Sequence, residues 1–187
     1  KIKVDDNSRF GGRMEFRSMN DSIKRKKIGE GVFFTAITDP KFKSNRISVN
    51  LLLPLEEETA ANRAIVPFVL RLRYRDCPDF TRLNEKLCDL YGAIVDGDVR
   101  KYGAYQIMNL SVQFLDDRYS IAGEPLVQAC ADLACGMLFD PYLESGLFSE
   151  EDVRLERQNL IDTIASEFND KREYAINKCI SLMFDGS

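Results

Sequence analysis

The sequence has no histidine among its 187 residues. That absence removes Ser-His-Asp and Cys-His nucleophile pairs, His-liganded zinc and the imidazole proton shuttle from this chain in one step. Long apolar runs are missing too. No window approaches the roughly 18 apolar residues of a membrane span, and the charged N-terminus lacks the apolar stretch of a signal peptide. Close cysteine pairs are also lacking. Cys77, Cys88, Cys130, Cys135 and Cys179 are an odd set without zinc-site or redox-motif spacing. Cys130 and Cys135 sit about 140° apart around a helix, so they do not share a ligand. The expectation is a cytoplasmic protein with free thiols, no membrane partner and no cofactor. Neither a phosphate-binding loop nor a dinucleotide fingerprint opens a helix after a strand. The acid clusters Asp116-Asp117 and Glu56-Glu57-Glu58 read as solvated caps.

Positive charge is scarce overall and concentrated locally. The net charge is −4 and the pI about 5.1, which argues against general affinity for nucleic acid or anionic membranes. Residues 1–27 nevertheless hold nine Lys/Arg against four Asp/Glu, including Lys24-Arg25-Lys26-Lys27. They read as a basic arm, disordered or foreign to the native protein. Residues 28–187 read as a single domain, the N-terminal part of a longer protein; 44% hydrophobic and 30% charged residues is a globular composition.

Within that domain, Gly31-Val32-Phe33-Phe34-Thr35-Ala36-Ile37 reads as a strand, and Ile47, Val49, Leu51 and Leu53 alternate with polar residues as a second. The two are expected to pair around the loop at residues 39–45. A helix follows with Ala61, Ile65, Phe68 and Leu72 on its core face, and Pro67 starts or kinks it. Cys77-Pro78-Asp79 breaks it. Leu83, Leu87 and Leu90 mark the next helix, which stops at Tyr91-Gly92. Residues 93–99 and 105–115 read as two strands with Met108, Leu110, Val112 and Phe114 on one face. Leu126, Cys130, Leu133 and Met137 define another helix behind Pro125.

Residues 149–184 complete the pattern. Apolar residues recur there at steps of three and four, with Ser149 and Asp170 as caps, giving two helices that meet near Asn169-Asp170-Lys171. Periodicity alone makes them amphipathic covers of a sheet. Two strands, two helices, two strands and three helices, without strand-helix alternation, predict an α+β fold: an antiparallel sheet with helices packed on one face.

Phe139-Asp140-Pro141, followed by Phe148, Ser149, Glu150, Glu151, Asp152, Val153 and then Glu156-Arg157, resembles the second signature segment of the insulinase/pitrilysin family of zinc peptidases. Phe42-Lys43 with Asn45-Arg46-Ile47-Ser48-Val49, Leu90-Tyr91-Gly92-Ala93, and Asn169-Asp170-Lys171 with Tyr174-Ala175 narrow the resemblance. They are similar to the degenerate, His-less bacterial members described as associated with elongation factor P modification. The resemblance covers residues 28–184 and implies one insulinase-type metallopeptidase-like domain. It places the family's His-x-x-Glu-His near Pro67, Leu70 and Arg71, and its late zinc-binding Glu at Thr163. All four positions are replaced, and catalytic zinc needs about three protein ligands.

The resemblance therefore implies a catalytically inactive domain with no metal. Its partner is expected to be a second peptidase-like domain or an active peptidase subunit, and it is expected to serve as a structural or polypeptide-binding half. The alternative is an active zinc-dependent peptidase whose His-x-x-Glu-His lies outside this fragment. Nucleic acid is the unfavoured partner. Two further expectations follow from the resemblance. An extended polypeptide would use the edge of the strand carrying Ile94, Val95, Asp96, Gly97 and Asp98. Arg71, or Arg75 if the register slips by a turn, would meet Glu156 across the vacated cation site.

Overall fold

The structure, a computed structural model, describes residues 23–183. The chain divides into two compact units, Lys1–Phe42 and Lys43–Ser187. In the first, β1 (Ile23–Gly29) and β2 (Val32–Ile37) form an antiparallel hairpin, running from Ile23 opposite Ile37 to Gly29 opposite Val32. Gly31 takes the left-handed backbone (φ +68°) that the tight turn demands. Lys24 to Lys27, the cationic run of the expected basic arm, lie inside β1. The cationic run does not prevent a strand, since its long side chains extend into water from both faces. Arg25 also stacks over Phe33, 4.5 Å from the ring centroid. The rest of the arm lies outside the described residues.

The second unit runs β3 (Ser44–Pro54), α1 (Glu57–Ala64), α2 (Val66–Leu70), α3 (Phe80–Asp89), β4 (Ile94–Tyr102), β5 (Tyr105–Leu115), α4 (Leu126–Phe139), α5 (Glu150–Ser166) and α6 (Lys171–Met183). Short 3₁₀ turns stand at Asp117–Tyr119 and Glu167–Asn169. Its sheet is antiparallel in the order β3-β5-β4. The α+β class expected from the element order is the one found. The expected pairing of the first two strands is not: β2 pairs with β1, and β3 pairs with β5. The alternating pattern of β3 marks a half-buried strand but carries no information about which neighbour it takes.

The core lies between β5 and α4. Leu110, Val112 and Phe114 meet Leu126, Cys130, Leu133, Ala134 and Met137, joined by Leu83, Leu90 and Tyr74. The α4 stripe recurs at intervals of four, three and four, which keeps it on one helical face. Burial, with a smaller contribution from the Asp117 charge, pushes the Cys130 thiol up to about 11. Asp79 caps α3 by accepting from the Arg82 N–H at 2.8 Å. Tyr91 and Gly92, both at positive φ, close the same helix.

Two helix faces differ from expectation. The segment around Pro67 is broken into α1 and α2 at Ile65, so the buried set is Pro67, Val69 and Leu70, while Ala61 is exposed and Phe68 half-buried. Proline lacks the N–H that would continue α1, and the break re-aims the face that follows. The helices α5 and α6 do not cover the sheet with an apolar face. Ile161, Ile164, Phe168, Ile180 and Met183 are exposed, and the one buried residue of α5 is Glu156.

A close approach inside the core gives a direct test. A Cβ on Gly136 would lie 2.8 Å from Cε2 of the Tyr74 ring, which is held in place by a 2.5 Å hydrogen bond from Lys86 Nζ to its hydroxyl. Gly136→Ala in an unconstrained helix would gain about 1 kcal/mol. Overpacking reverses the sign here, and a net loss of about 1–2 kcal/mol is expected in urea denaturation.

Candidate functional site

The site is assembled where α2, α5 and β4 meet. Gly97 makes the assembly possible, because a Cβ there would stand 2.6 Å from the carbonyl oxygen of Pro67. No other residue allows the backbone of α2 to settle so closely on β4. Since side chains alternate along a strand, Val95 and Gly97 share the face under α2, while Ile94, Asp96 and Asp98 project from the other. Val95 accordingly packs against the core, and Ile94 is exposed. Asp98 is engaged with Arg100, two residues on.

Arg71 caps the C-terminal end of α2 and points toward α5. Its Nη2 lies 3.4 Å from Oε2 of Glu156, a carboxylate only 3% exposed, and its Nη1 lies 3.8 Å from Oδ1 of Asp96. Asn159 donates to the other Glu156 oxygen at 3.3 Å. One turn before Glu156, Asp152 accepts from Arg73 Nε at 2.6 Å, and Arg73 also lies over the Tyr142 ring. The helix α5 is thus held by two arginines through two carboxylates four residues apart on one face. Arg75, the alternative partner, does not reach Glu156; it pairs with Asp140 at 2.6 Å.

The remaining positions named from the sequence do different work. Pro67 and Leu70 are buried and border an apolar crevice lined also by Val49, Leu51, Met108 and Leu138. Thr163 is exposed, and its hydroxyl donates back to the Asn159 carbonyl at 2.8 Å within α5. Among the described residues, no three or more Cys, Asp or Glu side chains are grouped to hold a metal ion. Proline, leucine, arginine and threonine offer no zinc donor set, so the residues present do not fit that metal. The cluster supplies fixed charge and hydrogen-bond donors. Ile94 to Asp98 belong to β4, an outer strand in the order β3-β5-β4.

Reading the sequence did not find the Arg73–Asp152 pair or the closeness of Gly97 to α2. The first had a signal, because Asp152 and Glu156 are one turn apart and Arg71 and Arg73 fall in a single turn of chain. The second had none, because a glycine in a strand does not say which backbone approaches it.

The chain is 27% identical over 143 residues to a Bacillus subtilis (strain 168) protein named "Probable inactive metalloprotease YmfF", a match that takes in 76% of this chain and 34% of that protein. A crystal structure of a conserved protein from Enterococcus faecalis V583 matches with a TM-score of 0.77 at 26% identity, covering 89% of this chain and 39% of that one. This chain therefore spans well under half the length of either relative. No protein-family model matches it. No helix among the described residues is long and apolar enough to cross a membrane.

The ion pair predicts strong coupling. Arg71→Ala leaves the Glu156 carboxylate buried without its cation, and Glu156→Ala leaves Arg71 with Asp96 at 3.8 Å as its remaining carboxylate. A double-mutant cycle by chemical denaturation is expected to give about 1–3 kcal/mol of coupling. The same cycle between Arg75 and Glu156 is expected to give none.

Proposed function

We propose that this chain is a catalytically inactive domain of the insulinase type, serving as a structural or polypeptide-binding partner of an active zinc peptidase subunit. The observation that carries the reading is the chemistry at Pro67, Leu70, Arg71 and Thr163. Two of these side chains are apolar and buried, one is a guanidinium, and one is an exposed hydroxyl. No metal-bound water can be generated by such a set, because lowering the pKa of that water requires protein ligands around the ion. The likeness to a protein named a probable inactive metalloprotease supports the same reading.

Loss of the metal leaves the means of holding a polypeptide in place. Main-chain pairing along a strand edge needs no particular side chain, so a β4 edge can bind an extended chain without cutting it. In this reading the peptidase framework is retained for binding and assembly, and cleavage is left to a partner subunit.

Two measurements test it. Metal analysis of the purified full chain is expected to find well under one zinc per molecule, with no hydrolysis of an unfolded peptide. About one tightly held zinc per chain, or cleavage that survives repurification, would overturn the inactive assignment and favour an active zinc peptidase instead. Val95→Pro removes a backbone N–H from β4 and is expected to abolish capture of an extended peptide. Undiminished capture would remove the edge from the proposal.

A further inference from the structure

The position of Arg71 relative to β4 says more than that it balances Glu156. The helix α2 lies on the face of β4 that bears Gly97, and strand alternation puts Asp96 on the opposite face. One edge of β4 is occupied by β5 through the full register from Ile94 to Tyr102. An arginine that starts from α2 and lies 3.8 Å from Asp96 can reach it only around the other edge. Its guanidinium is therefore at the edge of β4 that no described strand of this unit pairs with, where the main-chain groups of a further strand would arrive.

The guanidinium lies over the Phe68 ring, 5.5 Å from its centroid, but its N–H donors are far from fully engaged. It carries five N–H donors. Its one hydrogen bond among the described residues is the Nη2 contact to Glu156. The 3.8 Å separation of Nη1 from Asp96 exceeds hydrogen-bonding distance. The Nε–H is buried without a partner, and the side chain as a whole is 32% exposed. Glu156 fixes one end of the planar fork, and the Nη1 end is presented at the strand edge with donors available.

Charge decides what those donors accept. Glu156 and Asp96 already place two carboxylates around one cation, so a third carboxylate would meet net negative charge. A neutral acceptor suffers no such repulsion. We propose that Arg71 is a binding residue for an extended polypeptide on β4, donating from Nη1 to a main-chain carbonyl of that polypeptide. Asp96 is then a competing ion-pair partner, which draws Nη1 away from the incoming carbonyl. This inference rests on the reading that the β4 edge receives polypeptide, and it assigns the residue and the acceptor chemistry within that edge.

The test uses the full chain and a fluorescein-labelled unstructured peptide with an acetylated N-terminus and an amidated C-terminus, read by fluorescence anisotropy. Arg71→Gln combined with Glu156→Gln removes the guanidinium without leaving a buried charge. It is expected to weaken binding about 10-fold or more, the size of a lost charge-assisted hydrogen bond. Asp96→Asn is expected to tighten binding about 3-fold by removing the competing charge. The free-carboxylate version of the peptide is expected to bind no more tightly than the amidated one.

If Val95→Pro abolishes binding but the Arg71/Glu156 pair variant binds like the parent, the edge reading stands and the role given to Arg71 falls. Should the free carboxylate bind 10-fold more tightly, Arg71 is a carboxylate clamp and the neutral-carbonyl assignment is wrong. Absence of binding by the parent chain at millimolar peptide would overturn both readings, leaving the Arg71–Asp96 contact as edge protection alone. Where the pair variant does not fold, Asp96→Asn still decides, since unchanged or weaker binding contradicts a competing Asp96.

Discussion

A carboxylate taken out of water must be answered by a cation and by hydrogen bonds, or the helix that carries it does not stay in place. Glu156 imposes that requirement on this fold. It is the one buried residue of α5, a helix of 17 residues whose large apolar side chains at Leu155, Ile161 and Ile164 face outward. A helix normally docks through a buried apolar stripe. Here α5 docks on the end of α2 through Arg71–Glu156 and, one turn earlier, Arg73–Asp152. The hydrophobic effect builds the β5–α4 core, and charge fixes α5 beside it. These two forces act on different parts of the same unit.

The ion pairs depend in turn on a steric detail elsewhere. Arg71 reaches Glu156 and Asp96 from one position because α2 lies against β4, and α2 lies there because residue 97 has no side chain. Pro67 contributes twice. It ends α1 by lacking an N–H, and its carbonyl is the group that approaches Gly97. A proline and a glycine thirty residues apart thus place the guanidinium. Arg71, Glu156 and the face of β4 are coupled through that placement, so a change at Gly97 would be felt by the charged pair without touching it.

Much of this was legible because it is periodic. The alternation of Met108, Leu110, Val112 and Phe114, and the stripe of Leu126, Cys130, Leu133 and Met137, each report one buried face, and those faces form the core. What periodicity cannot carry is partnership. The strand pattern of β3 fitted β2 as well as it fitted β5, and the Lys24 to Lys27 run concealed a strand because exposed strands have no apolar alternation to reveal them. In α5 and α6 the clear helical period implies an apolar face against a sheet. The period was right. The face was not, because the one buried contact of α5 is made by an acid that the pattern counts as solvent-facing. Arg71 beside Glu156 came from family resemblance, since two charges 85 positions apart show no periodic relation.

On the proposed reading, the same coupling bears on whether a zinc site could be built here by small steps. Placing a metal ligand at residue 71 removes the guanidinium and leaves Glu156 buried without its cation. Placing one at residue 67 changes the proline that breaks α1 from α2, and at residue 70 it puts a polar group into an apolar crevice beside Leu51 and Met108. Each single change is destabilising by itself, and none alone binds a catalytic ion, which needs about three ligands at once. Glu156 could serve a metal as counter-charge only after Arg71 had gone, and Arg71 can go without penalty only once the metal is there. On the proposed reading, a zinc site and the Arg71–Glu156 pair are therefore alternative arrangements of these helices, separated by intermediates that lack the stabilising contacts of either.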